Sequence, residues 1–141
     1  MTIIKKVLLL IFVTVSFQLM NAQGLEDFTW KNRLIMVFTN SVNNPKYIDQ
    51  IDQLRSEYEK FDNLKLSLFK ILPKKYALGF NSEWRTSVLH QRKVTKGNFE
   101  IQLIGLDGTV KLSSSNVVPF VEIEKLINSM PMRQSELNSK N

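Results

Sequence analysis

The side chains able to do chemistry in this chain are few, and most of them are cationic. Arg33, Lys111 and Arg133 stand far apart in sequence, but a fold that joined them would make a clamp for a carboxylate or phosphate, with arginine binding in bidentate fashion. The same three cations could instead pair with Asp107, Glu136 or Asp27 as a structural lock. A reaction would further need a base and a nucleophile, for which Asp107, Ser41 and Glu136 are the candidates. His90 is the single histidine, without the companions that a metal site or a nucleophile–base pair requires. The chain has no cysteine, which excludes thiol catalysis, thiolate metal sites and thiol redox cycling. No catalytic residue, metal ligand or cofactor is assigned from the residues alone.

The turn Asn40–Lys46 offers a second candidate, since backbone N–H groups at a helix start can hold an anion with help from Lys46. Its simpler role is to cap the helix through Ser41, Asn43 and Asn44. Asp107–Gly108 lies between two β-type runs and reads as a hairpin turn in which both positions tolerate positive φ. "SMPMR" (Ser129–Arg133) reads as a helix stop. Pro131 removes a donor and forces Met130 out of helical geometry, while Met130 and Met132 finish the core edge.

These groups need elements to position them. "RLIMVFT" (Arg33–Thr39) is an apolar run of strand length, suited to burial on both faces. Pro45 opens a helix in which Tyr47, Ile48, Ile51, Leu54, Tyr58 and Phe61 recur at helical spacing, and Asp62–Asn63 closes it. A second strand runs from Leu64 to Ile71. Pro73–Ser82 reads as loop, and Glu83–Arg92 as a helix carrying Trp84, Val88 and Leu89. Phe99–Leu103 alternates as a third strand, and Val110–Leu112 forms the fourth. A last helix runs from Pro119 through Phe120, Ile123, Leu126, Ile127 and Met130. The order β-α-β-α-β-β-α predicts an α/β fold, a mixed sheet of about four strands with helices on both faces.

Around this domain the totals are ordinary. At 141 residues, with 43% hydrophobic and 23% charged side chains, the chain has room for one globular domain. Residues 1–23 have the order of a secretory signal: Lys5 and Lys6, the apolar run Val7–Phe17, then Asn21-Ala22-Gln23. That run is short of the roughly 20 apolar residues a membrane span needs. The expectation is an exported protein, periplasmic or secreted, whose mature part is Gly24–Asn141. Loss of Lys5 and Lys6 lowers the formal charge from +6 to +4, and the remaining cations form no stripe of the kind nucleic-acid binding uses.

"FEIQLIGLDGTVKL" (Phe99–Leu112) followed by "MPMRQSE" (Met130–Glu136), with "WKNRLIMVF" (Trp30–Phe38) at the start, resembles a domain of unknown function found in bacterial exported proteins. Related domains occur in sushi-repeat-containing proteins and the down-regulated-by-oncogenes matrix protein. At Leu106 the sequence departs from a typically basic family position. The resemblance implies a thioredoxin-like fold, nearest to peroxiredoxins in outline, without an established activity. Two readings follow: a non-enzymatic module that binds a protein partner or small anionic ligand, or a thiol-independent enzyme acting on a phosphate- or carboxylate-bearing substrate.

Overall fold

A computed structural model describes residues 3, 25–81, 83–86 and 98–140. It is an α/β fold built on one six-stranded open sheet. The strands are β1 (Arg33–Thr39), β2 (Leu66–Ile71), β3 (Lys75–Leu78), β4 (Arg85–Thr86), β5 (Phe99–Ile104) and β6 (Val110–Ser114). They lie in the order β4-β3-β2-β1-β5-β6. Only β1 and β2 are parallel; the other four pairings are antiparallel. Among the described residues three α-helices accompany the sheet: α1 (Pro45–Ser56), α2 (Phe120–Ser129) and α3 (Pro131–Asn138).

Strand β1 lies centrally, and all seven of its residues are buried. Its period of two divides the core. Ile35 and Val37 face a large cluster with Leu66, Leu68, Phe99, Ile101 and Leu103, covered by Tyr47, Ile51 and Leu54 of α1 and Phe120, Ile123 and Ile127 of α2. Leu34, Met36 and Phe38 face a smaller cluster with Phe69, Ile71 and Ile104, against which Phe28, Tyr76 and Leu78 pack. Phe28 meets Phe69 edge-on at 5.2 Å between ring centroids.

Helix α1 starts where the turn chemistry says it should. Asn44 accepts from the Lys46 N–H at 2.9 Å, and Pro45 occupies the first helical turn. Its buried stripe includes Gln50 rather than Ile48, which is 45% exposed. Gln50 donates to the Val118 carbonyl at 3.0 Å and accepts from the Val118 N–H at 2.8 Å, replacing a missing strand neighbour for the segment that enters α2.

Several expectations are corrected. Six strands stand where about four were expected. The loop assigned to Pro73–Ser82 contains β3, joined to β2 by a turn in which Leu72 and Lys75 exchange backbone bonds. The helix expected from Glu83 opens instead on the two-residue strand β4, paired with β3; its remainder, with His90, lies outside the described residues, as do residues 1–2 and 4–23 of the expected signal. Among the described residues α1 and α2 both pack on the larger cluster, and Phe28, Tyr76 and Leu78 pack on the smaller one. Helix α1 ends at Ser56, and Tyr58 stands in a separate 3-10 turn, 62% exposed. Strand β2 begins at Leu66, because Lys65 takes φ 49° and turns the chain into the strand. No helix among the described residues is long and apolar enough to cross a membrane.

Candidate functional site

The sequence-nominated cations meet at one end of the sheet, where α3 crosses the start of β1. Pro131 does end α2, but it also begins α3: Met130, at φ −73° and ψ 138°, is the last cap of one helix and the first of the other. The same missing N–H that stops a helix is harmless in the first turn of the next. The bend carries Arg133 inward, leaving it 4% exposed, and leaves Met132 outside at 40% rather than in the core.

Arg33 and Arg133 both bind Glu136. Arg33 Nη2 lies 3.1 Å from Glu136 Oε1 and its Nη1 donates to the Leu64 carbonyl at 2.9 Å. Arg133 Nη1 donates to Glu136 Oε2 at 3.2 Å and to the Asn63 carbonyl at 2.8 Å. Its Nη2 donates to Asn63 Oδ1 at 2.6 Å, and its Nε to Asn128 Oδ1 at 3.2 Å. Lys65 adds a third cation 3.6 Å from Glu136 Oε1. One carboxylate thus ties α3, the turn before β2 and the start of β1. Burial pushes the Glu136 pKa up, but hydrogen bonds from Arg33 and Arg133, with the charges of Arg33 and Lys65, outweigh it and hold the group below its ordinary value. In the sequence Asn63 reads only as a helix stop and Lys65 carries no signal, since their part in the lock depends on a turn, with positive φ at Lys65, that only the assembled chain supplies.

Lys111 takes a different partner. Its Nζ lies 3.0 Å from Asp107 Oδ2 on a half-exposed surface. Asp107 also accepts from the Thr109 N–H at 3.1 Å and the Thr109 hydroxyl at 2.8 Å. The Thr109 backbone and hydroxyl bonds, followed by the Lys111 bond, pull its pKa down to about 2. The β5–β6 turn is longer than a two-residue hairpin: Gly108 N–H bonds the Gly105 carbonyl at 3.0 Å, and only Gly108 adopts positive φ, at 78°. This is a type I turn followed by a left-handed glycine. Asp107 serves it through its side chain, not through its own φ.

Between this hairpin tip and the α2–α3 bend lies a cavity of about 420 Å³. Arg33, Gly105, Leu106, Asp107 and Lys111 line one side, and Leu126, Ser129, Met130, Pro131 and Met132 the other. Arg33 and Lys111 therefore border one space, while Arg133 is turned to the lock beside it. Arg33 is fully buried, yet its Nε–H has no acceptor among the described residues. Gly105 is required by close approach: a Cβ there would stand 2.7 Å from Lys111 Cε and 3.1 Å from Asp107 Oδ1. The pattern "GLDG" contains that glycine, but spacing alone gives no hint that a lysine stem lies across it.

Elsewhere, Lys46 reaches over to the end of β6, donating to the Ser115 carbonyl at 3.1 Å and Asn116 Oδ1 at 2.9 Å. Ser41 accepts from the Asn43 N–H, so the Asn40–Lys46 turn is occupied by its own bonds. Lys70, buried in β2, donates to the Phe80 carbonyl at 3.0 Å beneath Trp84. Burial first, then the nearby Arg55 charge, hold its pKa below that of an ordinary lysine. Asp27, the remaining proposed partner, is exposed, and among the described residues makes no ion pair with these cations.

No curated protein and no solved structure is significantly similar to the chain. The sequence profile of one family, described as a domain of unknown function (DUF4174), matches residues 24–136, so the match spans both the lock and the cavity and most of the chain. On that match, the chain belongs to the DUF4174 domain family.

Proposed function

We propose that this chain is a non-enzymatic binding module, and that its ligand site is the cavity between the β5–β6 tip and the α2–α3 bend. The observation that carries the reading is the division of labour among the cations. Arg33 and Arg133 spend their terminal nitrogens on Glu136 and on the backbone of residues 63 and 64. Lys111 borders the cavity with a single hydrogen bond, to Asp107. The walls are mixed: a cationic rim beside Leu126, Met130 and Met132, as in pockets that bury an apolar body and orient it by a few polar groups. The volume is within the range of small-molecule sites, roughly 300–1,000 Å³.

A thioredoxin-like relationship is part of this reading. It is supported by the inner four strands β2-β1-β5-β6, in which a parallel β-α-β unit is joined to an antiparallel hairpin followed by a helix. So is export, supported by the charge and hydropathy order of residues 1–23. A thiol-free module of this kind would act outside the cytoplasm by holding its ligand or partner.

The test pairs binding with turnover on the purified mature domain. Screening phosphoesters, esters and small carboxylates is expected to yield ligands that shift cavity resonances and no product. Turnover that disappears in Lys111→Ala would replace this reading with the thiol-independent enzyme.

A further inference from the structure

We infer that the cavity takes an amphipathic monoanion, a carboxylate carried on a short apolar body; this rests on the reading of the cavity as a binding site. The inference comes from counting the donors that remain after the protein has satisfied itself. A lysine ammonium has three N–H groups, and Lys111 commits one, to Asp107 Oδ2 at 3.0 Å. Met132, which lines the cavity, is in the first turn of α3, where a backbone N–H has no intrahelical acceptor, and Met130 provides no side-chain cap. The positive end of α3 is therefore presented to the same space.

A third, independent feature is the Nε–H of Arg33, a buried residue among those that line the cavity, which has no acceptor among the described residues. An unsatisfied buried donor is costly, and it adds a permanent positive field beneath the site. The charge tally agrees. Arg33, Arg133, Lys65 and Lys111 face Glu136 and Asp107, so the ion-paired groups at this end carry an excess of two positive charges.

The available donors set the size of the head group. Two Lys111 N–H groups and one Met132 amide suit the two oxygens of a carboxylate. A phosphate dianion, with three terminal oxygens, would be left under-satisfied, because the arginine terminal nitrogens that favour phosphate are already bound to Glu136, to the Asn63 side chain and to backbone carbonyls. The opposite wall sets the rest of the ligand. Leu126, Met130 and Met132 offer apolar surface, and methionine adapts to irregular apolar shapes.

Gly105 positions Lys111. Because a Cβ would collide with the lysine stem at 2.7 Å, Gly105→Ala should displace the ammonium without removing its charge. Trp30 provides a reporter tied to the cavity lining by a backbone bond. Its N–H bonds the carbonyl of the lining residue Leu106 at 2.6 Å, and its side chain is 64% exposed. Its φ of 67° is strained for a bulky residue, so its place beside the tip is held by the surrounding structure.

The experiment titrates octanoate, octanol, octylamine and octyl phosphate into the mature domain. It follows the amide resonances of Leu106 and Met132, and Trp30 fluorescence in a Trp84→Phe background. Octanoate should move these signals, with octanol and octylamine at least tenfold weaker and octyl phosphate weaker as well. Lys111→Met, which keeps the apolar stem on an exposed residue, should weaken octanoate at least fivefold. Gly105→Ala should do the same while retaining native circular dichroism. If octanol or octyl phosphate binds there as tightly as octanoate, the carboxylate assignment is wrong and the binding site survives. If no compound perturbs Leu106 or Met132, both the assignment and the binding-module reading fall.

Discussion

Two ion-paired groups border the same end of the sheet, and they differ in burial, in sequence span and in net charge. The Arg33–Glu136–Arg133 group is sealed: the three side chains are 0%, 14% and 5% exposed, and they join segments roughly a hundred residues apart. The Asp107–Lys111 pair sits four residues apart at 36% and 35% exposure. A buried pair is committed, because removing one partner strands a desolvated charge. An exposed pair contributes little and can exchange partners with solvent or ligand. Burial, more than residue type, therefore decides which cations hold the fold together and which remain free to bind.

The largest effect should come from breaking the sealed group. Arg133→Ala removes four charge-assisted hydrogen bonds, to Asn63, Asn128 and Glu136, and leaves the Asn63 acceptors without their donor, so urea unfolding should show a loss of about 3–5 kcal/mol. A loss below about 1 kcal/mol would erase the distinction between the two groups. Next in size is Gln50→Ala, which leaves the buried Val118 N–H and carbonyl without partners and should cost about 1–3 kcal/mol.

Acid separates the groups in a different way. The Glu136 pKa is lower in the folded protein than the ordinary 4.5, so its contribution is complete above that value and is lost as pH falls through the lowered one. Stability should therefore decline below about pH 4.5, and Glu136→Gln, less stable at neutral pH, should show a shallower decline over that window. Asp107, by contrast, should titrate near pH 2 by carboxyl NMR. Lys111→Ala should raise that midpoint only partly, since the Thr109 bonds lower it more. The smallest effect is on stability: Lys111→Ala should change it by no more than about 0.5 kcal/mol. A larger loss would make Lys111 part of the lock.

Much of the frame was legible before any coordinates. Strand β1 keeps its expected bounds, because the six apolar or β-prone residues that follow Arg33 and run up to a turn signal leave little choice. Asn44-Pro45 opens α1 as its cap chemistry requires, and Asp107-Gly108 marks the hairpin. β3 and β4 were illegible for the converse reason. "KYAL" follows Pro73 and Lys74, and Arg85–Thr86 is only two residues long. Neither has a pattern of its own, and each is a strand only because a neighbour offers it an edge to pair with, β2 for β3 and β3 for β4.

At the site the same limit applies. Sequence alone determined the absence of thiol chemistry, the family, and the shortlist Arg33, Lys111 and Arg133, because these depend on residue identity. Tertiary structure decided how that shortlist divides. Pro131 reads as a stop in one dimension; in three it is a hinge that starts α3, buries Arg133 against Asn63 and leaves Lys111 on the rim with Asp107. The physical reason is that a charge's role follows from its solvation and its partners, and both are set by segments far away in sequence.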